Sequence, residues 1–326
     1  MTAQFETALT RLLGIRHPIL LAPMGAVAGG ALARAVTEAG GLGLVGVGYH
    51  GAEYIERELA AAQGTPVGIG FISWDLARDP SRLEAALARR PALLQLSFGD
   101  AAPFVERIKS AGVKLALQVQ SLADAKRAAD LGVDIVIAQG TEAGGHGAAR
   151  ALFPLLPAIV DAVAPLPVVA AGGIADGRGL LAALALGASG ALVGTRFIAA
   201  DESLAPPEAK ARLIAASGDS TLRTRVFDQV RSLPWPEPYT GRALDNQFAK
   251  TWHGREAELA AALPSEGPRY AAATAAKDFD TALIWAGEGL DLVRRLEPAR
   301  AIVEAIVDEA RAALLKTNAL LRATPD

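Results

Sequence analysis

The residues best placed to do chemistry are gathered in one stretch, Gln139-Gly140-Thr141-Glu142-Ala143-Gly144-Gly145-His146. An imidazole titrates near neutrality, so a histidine on a loop can act as general base, general acid or anion anchor. The surrounding glycines let the backbone approach a ligand closely, and Glu142 or a carbonyl is at hand to orient the ring. A tight turn carrying an exposed histidine is the plain alternative. The preceding residues favour chemistry: Val133-Asp134-Ile135-Val136-Ile137-Ala138 is an apolar run of buried-strand length. It puts His146 on the loop at a strand's carboxyl end, where parallel α/β architectures hold their ligands.

The elements that must position this loop recur along the first two thirds of the chain. Apolar runs occupy Ile19–Ala22, Gly43–Gly46, Val67–Phe71, Ala92–Leu96, Lys114–Gln118, Val133–Ala138, Pro167–Ala171 and Ala191–Gly194. Helical patterns lie between them near 30–39, 52–62, 80–89, 101–111, 122–131, 152–163 and 177–186, with start signals at Asp79-Pro80, Ser121 and Asp176. Continuous apolar strands joined by helices imply a parallel sheet covered on both faces. Eight such units predict an α/β fold of the (β/α)8 TIM-barrel type. A doubly wound sheet would use fewer strands and would show G-x-G-x-x-G after the first, which is missing.

The pattern changes after about Ala205. Pro206-Pro207 opens a helical stretch, and Leu233-Pro234-Trp235-Pro236-Glu237-Pro238-Tyr239 is too proline-rich for a helix or a central strand. Helical patterns return near 254–262, 270–277, 280–286 and 298–322. The expected organisation is a barrel from 1–205 and 298–326, with 206–297 a smaller, mostly helical cap or substrate domain.

Composition narrows the chemistry. The chain of 326 residues is 51% hydrophobic and 21% charged, carries a net charge of −3 and has no cysteine. Cysteine nucleophiles, thiolate metal sites and Fe–S clusters are excluded. Four histidines (His17, His50, His146, His253) without H-E-x-x-H spacing give no expected metal site. The charge offers no attraction for nucleic acid or an anionic membrane. No apolar run reaches the roughly 20 residues that span a bilayer, and Met1-Thr2-Ala3-Gln4-Phe5-Glu6 lacks the features of a signal peptide. The expectation is a cytoplasmic enzyme acting on a small molecule, with a homodimer as one assembly open to it.

Polar and glycine residues gather at the strand ends that share a rim with His146. The first strand ends in Ala22-Pro23-Met24, the third contains Gly70, the fifth ends in Gln118 and the sixth in Gln139, followed by Gly144 and Gly145. The seventh ends in Gly172-Gly173 and the eighth in Gly194-Thr195. The loops after strands seven and eight of such barrels, with a helix N-terminus, commonly hold a phosphate. Gly172 and Gly173 would turn amides toward the anion, Thr195 would add a hydroxyl, and the helix dipole would favour the charge. Pyridoxal phosphate fits poorly because no strand end carries a Schiff-base lysine. A sugar-phosphate isomerase would want a rim carboxylate, for which Glu142 is the only obvious candidate. Flavin mononucleotide (FMN) fits better: Pro23-Met24 gives a rigid apolar edge for an isoalloxazine ring, and Gln118 and Gln139 can bond its heteroatoms.

The chain resembles the nitronate monooxygenases, FMN-dependent (β/α)8 enzymes formerly called 2-nitropropane dioxygenases. The resemblance rests on Ala22-Pro23-Met24, on Ala138 to Gly147 with its Glu-Ala-Gly-Gly-His run, on Ala170 to Gly177, on Val193-Gly194-Thr195-Arg196-Phe197, and on Trp285-Ala286-Gly287-Glu288-Gly289. It implies that Pro23, Met24, Gln139, Gly144, Gly173, Gly194 and Thr195 contact FMN and that His146 is catalytic. Two positions depart from the pattern: Gly70 stands where many members have Asn, and Gln118 where some have Lys. The implied reaction oxidises alkyl nitronates or nitroalkanes with O2 to carbonyl compounds and nitrite, with no metal. The alternatives are an NAD(P)H-dependent quinone or enoyl-thioester reductase on the same scaffold, and a flavin-free phosphate-binding barrel. Trp235, Tyr239 and Trp252 are candidates for an apolar lid, and His50 for a substrate contact. His17 and His253 are expected to be structural.

Overall fold

The computed structural model describes residues 4–320. The first three residues of the N-terminal stretch and positions 321 and 322 of the expected last helix lie outside them. Eleven strands form among the described residues: β1 (Ile19–Leu21), β2 (Leu44–Gly46), β3 (Gly68–Ile72), β4 (Leu94–Ser97), β5 (Leu115–Val119), β6 (Ile135–Gln139), β7 (Gly145–Gly147), β8 (Val168–Ala171), β9 (Gly190–Val193), β10 (Thr221–Thr224) and β11 (Thr240–Leu244). Eight of them make one parallel sheet in the order β1-β9-β8-β6-β5-β4-β3-β2. A parallel bridge from Leu20 to Leu42 joins its two edges and closes the (β/α)8 barrel.

The two-residue period of a strand sorts its side chains. Leu20, Leu44, Ile135, Ile137, Val169 and Leu192 point into the barrel, where Leu9 of the helix Ala8–Leu13 joins them. Ile19, Leu21, Val45, Ile69, Val136 and Val168 face the surrounding helices. Each such side chain contributes about 1.5–3 kcal/mol through burial. The helices match the expected spans within a residue or two, for example Leu122–Asp130, whose Ser121 side chain accepts from the Asp124 amide. The last helix, Ala299–Asn318, buries Ile302, Val303, Ile306 and Val307 against the barrel. Gly177 permits the approach, since a Cβ there would lie 2.1 Å from the Ala310 nitrogen.

Residues 206–297 are less uniformly helical than their composition suggests. Helices Pro207–Ala215, Val226–Val230, Gln247–Trp252 and Glu256–Ala275 are joined by an antiparallel sheet in the order β10-β11-β7. The third strand of that sheet is the His146 loop itself, with His146 opposite Gly241. Two expected helices, 254–262 and 270–277, are one 20-residue helix that runs through Pro264 and Pro268. Leu259 and Tyr270, one on either side of the prolines, are buried in the same cluster with Phe227 and Phe248, and this packing holds both halves in place. The stretch 280–286 is not helical. Leu244 N bonds the Ile284 carbonyl and Trp285 bridges Ala243, so sheet edge and ring packing override the local apolar pattern. Among the described residues, no helix is long and apolar enough to cross a membrane.

Candidate active site

Glycines at the strand ends determine how closely the loops settle on the barrel. A Cβ at Gly70 would lie 2.3 Å from the Pro23 ring, and one at Gly46 would lie 2.4 Å from the Met24 backbone. These glycines seat the Ala22-Pro23-Met24 turn on the barrel mouth. An Asn at position 70 has no room in this arrangement. Above the turn lies a cavity of about 320 Å³, lined by His146 and by all twelve residues expected at the cofactor.

One side of the cavity is built largely from backbone. Gly172 (φ +118°) and Gly173 (φ +67°) adopt left-handed conformations that suit glycine. Gly144 is pressed against the Ala286-Gly287 backbone, and Thr195 Oγ1 accepts from the Gly287 amide at 3.0 Å, leaving the hydroxyl proton free to donate. Gly289 abuts the Gly173 carbonyl. Gly287 and Gly289 of the Trp285–Gly289 motif, which the sequence alone leaves without a place in the fold, therefore belong to the same cradle. The helix expected to favour a phosphate here is already capped: Asp176 accepts from Gly179 N at 3.0 Å and Glu309 from Gly177 N at 3.0 Å. Carboxylates occupy that terminus, so an anion would meet the Gly172-Gly173 turn and Gly194-Thr195 instead.

Amide side chains line the floor. Gln118 accepts from Gln95 Nε2 at 3.3 Å, and Gln95 Nε2 also reaches Ser97 Oγ at 3.1 Å. Gln95 is 1% exposed and lines the cavity, yet its Oε1 has no hydrogen-bond partner among the described residues. Such a buried orphan acceptor calls for a donor from a ligand. Together with the glycine cradle, it fits the heteroatom edge and phosphate of a flavin nucleotide. Gln139 is differently engaged: its Oε1 accepts from Gln120 Nε2 at 2.8 Å, and its Nε2 donates to the His146 carbonyl at 2.9 Å. Its main contacts thus hold the histidine's backbone.

A second part of the site is built from side chains. His146 Nε2 lies 2.8 Å from Asp228 Oδ2, and Asp228 Oδ1 accepts from Arg231 at 2.9 Å. The imidazole stacks on Trp235 with 3.3 Å between ring centroids and 5° between planes, and Trp285 meets its edge at 4.9 Å. Burial holds the His146 pKa below the ordinary histidine value, although Asp228 pulls the other way. Glu142, one of the two groups the sequence offered for orienting the ring, does not reach it. Both its oxygens accept from the Leu152 amide, at 2.9 and 3.1 Å, capping the helix Leu152–Val163. The loop is held from outside by Arg223 and Arg242, whose guanidinium groups both donate to the Thr141 carbonyl.

Asp228 and Arg231 escaped the sequence reading because nothing local marks them. Gln95 and Ser97 did leave a signal: two polar residues in step on a four-residue strand of otherwise apolar character. Of the lid candidates, Trp235 lines the cavity. Tyr239 reaches it through Phe98, at 5.2 Å between rings, and Trp252 packs in the cluster around Phe227. His50 lines the cavity and stacks on Tyr54, whereas His253 bonds Thr224 Oγ1 at 3.2 Å away from it.

Comparison with known proteins agrees with this architecture. The nitronate monooxygenase npaC of Metarhizium robertsii is 32% identical over 338 residues, 93% of this chain and 93% of its own. The (3aS,4S,5R,7aS)-5-hydroxy-7a-methyl-1-oxo-octahydro-1H-indene-4-carboxyl-CoA dehydrogenase of Rhodococcus jostii is 37% identical over 228 residues, 68% of this chain. That match spans 64% of the relative's own length. FabK from Thermotoga maritima superposes with a TM-score of 0.86 at 29% identity, covering 97% of this chain and 100% of that one. A family model described as nitronate monooxygenase matches residues 6–80 and 73–309. By its glycine cradle, its histidine loop and this near-complete match, the chain belongs to the nitronate monooxygenase family.

Proposed function

We propose that the chain is an FMN-dependent oxidoreductase that uses O2 to convert small alkyl nitronates, and nitroalkanes deprotonated in the site, to carbonyl compounds and nitrite. The observation that carries this reading is the buried His146–Asp228 pair on a cavity whose other side is a glycine cradle. Gly172, Gly173, Gly194 and Thr195 would hold the FMN phosphate, with Gln95 and Gln118 at the ring's polar edge and Pro23-Met24 beside its apolar one. Bound flavin supplies the electron transfer from nitronate toward oxygen. The protein's own groups handle the proton and the charge. A neutral His146 removes the proton on the carbon that bears the nitro group. The resulting anion meets Arg231, the one residue besides the histidines His50 and His146 that can bring positive charge to the lining of this cavity among the described residues. Residues 206–297 supply Arg231, Trp235, Trp285 and Gly287 to the lining and act, in this reading, as a cap that excludes water. A cytoplasmic location belongs to the same reading.

A second reading keeps the flavin and changes the substrate to a thioester, supported by the name of the Rhodococcus relative. The visible spectrum of purified protein tests the cofactor, because bound FMN is yellow and a flavin-free barrel is colourless. Oxygen uptake with propionate 3-nitronate, set against NADH and NADPH oxidation with a quinone or an enoyl thioester, separates the two substrates. Turnover of thioester with no nitronate-dependent oxygen uptake would replace the first reading by the second.

A further inference from the structure

We propose that Asp228 is a positioning residue that fixes the tautomer of His146, so that Nε2 carries the proton and Nδ1 is the basic atom. The inference deepens the proposed proton abstraction and rests on it for its catalytic part. An ionised carboxylate can only accept hydrogen bonds, so the 2.8 Å contact from Nε2 to Asp228 Oδ2 requires Nε2–H. Nδ1 has no hydrogen-bond partner among the described residues and keeps its lone pair. Asp228 is 3% exposed, and its other oxygen is occupied by Arg231 at 2.9 Å, which balances the buried charge and leaves the carboxylate little freedom to turn. The Gln139 bond to the His146 carbonyl fixes the backbone, and the parallel face of Trp235 fixes the plane of the ring.

The same arrangement serves the product of proton transfer. Burial opposes a charged imidazole at this position, and the guanidinium groups of Arg231 and Arg223 add to that opposition. Asp228 is the carboxylate that counters them across a hydrogen bond, and the Trp235 face is attractive to a cation. When Nδ1 takes the carbon-bound proton, the imidazolium is held between the two groups, and the substrate keeps the electron pair of the broken C–H bond as nitronate. No oxidant is needed in this step. An amide at position 228 can donate as well as accept, so it can stabilise the ring with its proton on Nδ1, the tautomer that cannot act as base there.

The test compares wild type, Asp228→Asn and His146→Ala as flavin-loaded proteins. Imidazole ¹⁵N shifts report the tautomer without any substrate, and four histidines make assignment by difference straightforward. Wild-type His146 should be in the Nε2–H form, and Asp228→Asn should lose that preference and titrate at lower pH. With a neutral nitroalkane, Asp228→Asn should cut kcat/KM by about 10²–10⁴-fold. Preformed nitronate needs no base, so its loss in Asp228→Asn should be clearly smaller than that of the nitroalkane and should appear in KM rather than kcat. The double variant should be no worse than His146→Ala, because the two residues act as a unit. Identical tautomer populations in wild type and Asp228→Asn overturn the proposal, whatever the substrate proves to be. So does an equal loss on nitroalkane and nitronate with flavin retained. A normal tautomer result in an enzyme inert to both nitro compounds would instead sink the nitronate reading and leave the positioning role standing.

Discussion

The two sides of the cavity are built on different principles. On one, Gly172, Gly173, Gly194, Gly287 and Gly289 present backbone at close range, with Thr195 as the polar side chain among them. On the other, His146, Asp228, Arg231, Trp235 and Trp285 meet as side chains, and all but the histidine come from residues beyond 220. The backbone side offers shape and amides whose positions follow from φ and ψ. The side-chain side offers charge and a titrating group, whose properties depend on neighbours distant in the chain. Binding should therefore fail on the first side and proton chemistry on the second.

Gly173→Asp is the most severe way to sharpen that contrast. Position 173 has φ +67°, and its Cβ would sit 3.3 Å from the Cβ of Glu142, so the new carboxylate crowds the cradle beside an existing one. Flavin absorbance should vanish while circular dichroism retains the barrel; flavin content equal to wild type would move the phosphate elsewhere. His146→Ala strikes the side-chain part of the site. Turnover of a neutral nitroalkane should fall about 10²–10⁴-fold with flavin content unchanged. Preformed nitronate should suffer much less, and near-wild-type rates on both would reduce His146 to a turn residue.

Smaller effects separate charge from proton transfer. Arg231→Gln removes a cation from the cavity lining and should raise KM for nitronate by roughly tenfold, the size of a lost charge-assisted bond. An unchanged KM would show that the anion is held elsewhere. The depressed pKa of His146 has two consequences of the same sign. The base form persists below the ordinary histidine value of about 6.5, so the acid limb of nitroalkane kcat/KM should fall below that pH. For stability, the unfolded chain binds a proton at this residue near pH 6.5 while the folded chain does not. Stability is thus fully present above about pH 6.5 and declines as pH falls below it, by up to about 1.4 kcal/mol per pH unit for one such group. Urea titrations from pH 7.5 to 5 should show that slope and a shallower one in His146→Gln. His17, also lowered by burial, leaves part of the slope in place.

The contrast between the two sides also separates what was legible from what was not. The barrel follows from eight apolar runs and seven intervening helical patterns, because strand and helix periodicities are local properties of the chain. The glycine side follows from motif and strand-end position alone, since a left-handed φ or a close backbone contact selects glycine at that very residue. The place of His146 on the cavity was legible for a different local reason: its loop follows directly on β6.

What only the tertiary structure decided is how that histidine is held. Asp228 lies 82 residues away, on a short helix that no sequence pattern singles out, and the His146 loop becomes a strand of a sheet whose other strands begin at Thr221. Glu142, close in sequence and chemically suitable, is instead drawn to the unpaired amide at the start of the next helix. Proximity along the chain favours a local cap, whereas the partner of a buried ring is whichever carboxylate the folded chain brings within hydrogen-bond reach. A sequence specifies the first through spacing; the second is fixed only when the segments pack.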